Sequence, residues 1–77
     1  METLIYSCQV ELQGEMFEIH IFTRPDGRHT AKTVFSANDV LINDGQSLDE
    51  ALERQQRLLP LALNSRRILT TKSKIAQ

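Results

Sequence analysis

The chain has one cysteine, no tryptophan, two prolines and three glycines among its 77 residues. A single thiol allows no intramolecular disulfide and no cysteine-based zinc site, so the fold must rest on apolar burial or on a partner chain. No run approaches the roughly 20 apolar residues that cross a bilayer, and Met1-Glu2-Thr3-Leu4 carries no basic stretch leading into an apolar one. No membrane span and no leader are expected, and the expected compartment is the cytoplasm. A low-complexity or disordered chain is also excluded, because 40% of residues are hydrophobic and 25% charged.

What is present suits one small domain. At this length only roughly 60% of the unfolded surface leaves water on folding, which makes self-association an expectation from the outset. The net charge of −1 conceals an uneven distribution. All ten acidic and five basic residues fall in 1–63, a net −5, whereas Arg66, Arg67, Lys72 and Lys74 give 64–77 a net +4.

Hydropathy alternates with period two over residues 4–12, where Leu4, Tyr6, Cys8, Val10 and Leu12 share one parity. The same pattern returns over 15–23 with Phe17, Ile19 and Ile21, and Gln13-Gly14 between the runs reads as a two-residue hairpin turn. Leu12 opposite Glu15 then sets Val10 against Phe17, Cys8 against Ile19 and Tyr6 against Ile21. Arg24-Pro25-Asp26-Gly27-Arg28 writes a second turn, with proline presetting φ and glycine supplying the left-handed residue. Pairing Arg24 with Arg28 places Ile21 opposite Ala31, Ile19 opposite Thr33 and Phe17 opposite Phe35, in a third strand over about 29–36.

Residues 36–39 read as loop, Val40-Leu41-Ile42 as a candidate short fourth strand, and Asn43-Asp44-Gly45 as a turn. Ser47-Leu48-Asp49-Glu50 is a capping box opening a helix at about 48. Its apolar stripe is Leu48, Ala51, Leu52, Leu59 and then Ala62 or Leu63, and Pro60 is expected to kink or stop it near Leu59. The fold class is therefore α+β: a three-stranded antiparallel meander, with a candidate short fourth strand, and one C-terminal helix on one face in β-β-β-α order. Residues 1–69 form the single domain, and 70–77 a basic, disordered tail.

No motif carries catalysis, and the chain is expected not to be an enzyme and to hold no cofactor. Cys8 reads as a buried core thiol. His20 and His29 fall on opposite faces of the sheet, which leaves no joint metal site. Asp39, Asn43, Asp44 and Asp49 lack the spacing of a calcium loop and fit turn and cap chemistry. Two surfaces remain. The outer sheet face mixes apolar and basic groups, with Ile5 facing Phe22 and with His20, Arg24, Arg28, Lys32 and Val34, and is the expected partner surface. Leu58, Leu59, Leu61, Leu63 and Leu69 exceed what one small sheet can cover, and are the expected self-association surface of a homodimer.

From Asp26-Gly27 to Gly45-Gln46-Ser47-Leu48-Asp49-Glu50-Ala51-Leu52, the order of hairpin, short strand and capped helix resembles the small HicB-type antitoxin domains. The likeness spans roughly 22–63. It implies a protein-binding sheet that masks a toxin, with no catalytic residue. Val34 to Val40 stands where those domains carry a proline-glycine segment, and this chain has an extra N-terminal strand. The expected function is thus a small non-catalytic protein-binding or adaptor module, with a heterologous protein partner beside its own copy. The alternative is nucleic-acid binding through the outer face and the basic tail, and the toxin-masking reading stands beside it.

Overall fold

The computed structural model describes the backbone of residues 1–76 and the side chains of residues 1–66. Four strands, β1 (Thr3–Leu12), β2 (Glu15–Thr23), β3 (His29–Ser36) and β4 (Asp39–Gly45), form one antiparallel sheet in sequential order, followed by helix α1 (Leu48–Ala76). The architecture is an α+β meander with one C-terminal helix.

Both hairpins fold as their turn residues dictate. Gln13 and Gly14 take φ of 52° and 82°, the two positive values a tight β1–β2 turn requires, and Leu12 pairs with Glu15. At the second turn Arg24 N–H donates to Arg28 C=O at 2.9 Å and Gly27 N–H to Arg24 C=O at 3.0 Å. Gly27 has φ of 86°, and Asp26 Oδ1 accepts from Arg28 N–H at 3.0 Å. The expected pairs Val10–Phe17, Cys8–Ile19, Tyr6–Ile21 and Ile21–Ala31 all form. Phe17 and Phe35 meet edge to face at 5.5 Å.

Four sequence expectations need correction. The fourth strand spans all seven residues of Asp39–Gly45, so 36–39 is no long loop and Asn43-Asp44-Gly45 is strand rather than turn. The period-two alternation of Asp39–Gly45 finds a β3 partner at every step from Asp44 opposite Thr30 to Val40 opposite Val34. A bulge between Leu4 and Tyr6 inserts one residue into β1, so Leu4, not Ile5, lies opposite Phe22. Pro60 does not end the helix, which continues through it to Ala76. Packing against the sheet outweighs the one amide bond that proline cannot make. Lastly, Leu59 and Leu63 are 0% and 6% exposed; they belong to the core under the helix and are not free to meet another chain.

The core lies between the helix and the inner sheet face: Ile19, Ile21, Ala31, Ala51 and Leu59 at its centre, with Cys8, Val10, Leu12, Phe35, Leu41, Leu48 and Leu52 packed around them. The capping box forms, with Glu50 N–H donating to Ser47 Oγ at 3.1 Å, while the Glu50 carboxylate accepts from Gln46 N–H at 2.7 Å. Gly45 matters by closeness. A Cβ there would sit 2.7 Å from the Ala51 backbone nitrogen, so only glycine lets the helix start this near the end of β4. The Leu69 side chain lies outside those described; α1 carries the backbone of the expected tail through Ala76, and Gln77 lies outside the described residues.

Candidate functional site

Strand pleating sorts the side chains into two faces, and the strand register fixes which lie together. On the outer face Leu4, Phe22, Thr30 and Asp44 form one row across the sheet, and Ser7, His20, Lys32 and Ile42 the next. Val34 and Val40 lie opposite each other in the following row. Leu4, Met16, Val34, Val40 and Ile42 are all exposed, so this side of the sheet carries a broad aliphatic surface.

Of the expected partner-binding residues, the structure brings His20, Phe22, Lys32 and Val34 together on this face. Lys32 Nζ stands 5.4 Å from the Phe22 ring centre, a cation–π distance, and the His20 ring is 6.5 Å from Phe22. Ile5 sits in the β1 bulge, away from its expected neighbour. Arg24 is engaged: its guanidinium bonds Asp44 Oδ2 at 2.9 Å and Asp26 Oδ2 at 3.2 Å, and Thr30 Oγ1 donates to Asp44 Oδ1 at 3.1 Å. Arg28 lies at the second turn beside it.

Sequence reasoning missed Val40 and Ile42. Their signal was the alternation of Asp39–Gly45, hidden by the turn-like Asn-Asp-Gly within it. It also missed that the acids of β4 hold the arginines. Arg66, counted in the sequence only toward the positive charge of 64–77, makes a bidentate bond to Asp39 at 2.5 and 2.6 Å, donates to Ala62 C=O at 3.0 Å and lies 4.3 Å over the Phe35 ring. That bond from Arg66 holds the Asp39 carboxyl below its usual pKa and raises the Arg66 guanidinium.

The inner face holds a polar cluster at the helix. Gln55, fully buried, donates to Thr33 Oγ1 at 3.0 Å and to Leu41 C=O at 3.1 Å, and accepts from Asn43 Nδ2 at 2.8 Å. Two buried atoms nearby on the β3–β4 pair, His29 Nδ1 and Asn43 Oδ1, have no hydrogen-bond partner. His20 and His29 do lie on opposite faces, as the register requires. Among the described residues no three His, Cys, Asp or Glu side chains come together as metal ligands, and no helix is long and apolar enough to cross a membrane.

On the helix, Leu58 and Leu61 are exposed, at 37% and 62%. Arg54 Nη1 donates to the Asp44 carbonyl at 3.0 Å, and residues 54, 58 and 61 share one stripe by helical spacing. The two leucines therefore stand on the flank of α1 above β4. The opposite flank reaches the first hairpin, where Gln13 Nε2 donates to Asn64 Oδ1 at 3.0 Å.

Comparison with protein-family models, with curated proteins and with solved structures finds no match to this chain. The fold and these surfaces are what a functional reading can rest on.

Proposed function

We propose that this chain is a small non-catalytic protein-binding module, whose outer sheet face receives a protein partner and which self-associates through surface that includes Leu58 and Leu61. The observation that supports it is the exposed aliphatic surface of the outer face, together with the pairing of most of the described arginines. Arg24 is held by Asp44 and Asp26, Arg54 by Glu50, Arg57 by Glu53 and Arg66 by Asp39. Phosphate recognition depends on cations free to displace counterions, and an acidic fold with four of its five described arginines already paired is poorly suited to it. Exposed aliphatic side chains around Phe22 and Lys32 suit a protein surface instead.

The test is a tagged capture from the native lysate, run with and without nuclease, beside Phe22→Asp and Val34→Asp variants. The expected result is a stoichiometric protein that survives nuclease and is lost from both variants. Fluorescence anisotropy with labelled single strands at low salt provides the opposing arm. Binding that needs Lys32 and Arg28 and weakens steeply with salt would replace this reading by the nucleic-acid one.

A further inference from the structure

We propose that a second copy of this chain pairs with the β4 edge, strand against strand about a twofold axis through Leu41, extending the sheet to eight strands and bringing the two helices side by side. The inference rests on the self-associating reading above and names the surface that performs it.

Backbone alternation shows which groups of β4 are free. The bond from Arg24 N–H to Arg28 C=O makes this a hydrogen-bonded pair, so in the pairs that follow the even residues of β3 face β2 and its odd residues face β4. Ala31 opposite Asn43 and Thr33 opposite Leu41 are then the hydrogen-bonded pairs of β3 with β4. The N–H and C=O groups of Val40, Ile42 and Asp44 consequently point away from the sheet. The Asp44 carbonyl confirms this, because Arg54 on the helix flank reaches it at 3.0 Å.

An edge is usually guarded by a lysine, a proline, a bulge or a covering segment. The interior of β4, Val40-Leu41-Ile42-Asn43, has no lysine or proline, and the register shift of its ladder lies in β3 between Val34 and Ser36, whereas β1 carries its bulge in the edge strand itself. A twofold axis at Leu41 sets the outward pair Val40 and Ile42 against Ile42 and Val40 of the second copy, which satisfies their free backbone groups. Four aliphatic side chains then adjoin on the outer face. Asp39 falls opposite Asn43 and Asp44 opposite Asn38, so no acid opposes an acid. Moving the axis to Ile42 would instead set Val40 against Asp44, whose carbonyl Arg54 already occupies.

The helix favours the same edge. A specific dimer hides roughly 800 Å² on each partner, and a seven-residue strand offers an edge only about 23 Å long. Leu58 and Leu61 share the helix stripe of Arg54, which reaches this edge, and two helices brought together over paired β4 strands would bury them between their flanks. β1 offers no such complement, because α1 packs mainly on β4 and then on β3 and β2.

Sedimentation equilibrium at micromolar concentrations, with circular dichroism to confirm the fold, tests the register. Val40→Lys with Ile42→Lys sets lysine against lysine and is expected to raise the dimer dissociation constant roughly 100-fold. Val40→Lys with Ile42→Glu sets lysine against glutamate in both pairs and is expected to keep the dimer. Both doubles place two charges at positions already exposed, so a loss of folding cannot mimic the contrast. Equal masses for the two doubles would overturn β4 pairing. If both remain dimers while Leu58→Glu with Leu61→Glu dissociates, self-association through the helix stands without it. A wild-type mass of 8.8 kDa at every concentration overturns both.

Discussion

Gln55 shows how one residue can fix where a helix lies. The stripe read from the sequence passes from Leu52 to Leu59 and gives Gln55 no role, although helical spacing puts it on the same face. The structure supplies it: the amide donates to Thr33 and to the Leu41 carbonyl while accepting from Asn43, so three bonds tie the helix to β3 and β4 at one register. Burying such a group is tolerable only when it is satisfied, and removing one partner strands the others. Gln55→Leu is therefore expected to cost about 1–3 kcal/mol in urea unfolding. Adding Thr33→Val, which removes the stranded hydroxyl, should recover part of that loss. Strictly additive costs for the two substitutions would show that the amide is not coupled to Thr33.

At the level of elements, β1, β2 and β3 were legible because their turns and their alternation specify the same register. Gly14 and Gly27 sit at positive φ, and a slip by one residue would turn every inward side chain outward. β4 was less legible because Asn43-Asp44-Gly45 carries turn chemistry at the end of a strand, and because Asp44 is a partner for Arg24 and Thr30 rather than a turn former. The helix beyond Pro60 was illegible for a different reason: its support is tertiary. Arg66 clamps α1 to Asp39 at the start of β4 and covers Phe35, a contact across 27 residues that no local pattern announces. Since the folded Asp39 pKa lies below its unfolded value, the clamp contributes stability above the ordinary carboxylate range and loses it as pH falls through the folded value. Urea midpoints measured from neutral to strongly acidic pH should converge between wild type and Asp39→Asn only at the acid end. A constant difference at every pH would remove Asp39 titration as the cause.

For the molecule as a whole, the six buried hydrophobic residues among those whose side chains are described include two alanines, Ala31 and Ala51, which is a small core. In the proposed dimer, surface left over on the β4 side of the helix would add to this small core. If pairing through β4 supplies the missing burial, folding and association share one equilibrium, and the midpoint of thermal unfolding must depend on protein concentration. A tenfold rise in concentration favours the folded dimer by about 1.4 kcal/mol, which for two chains of this size corresponds to a midpoint shift of about 4 °C. Val40→Lys with Ile42→Lys should unfold at a lower temperature and show no such dependence, because its unfolding starts from a single chain. The charge-complementary double, with glutamate at position 42, should restore the slope. A wild-type midpoint that stays constant over a hundredfold range of concentration would mean that the small core suffices alone, and that β4 does not pair with a second copy.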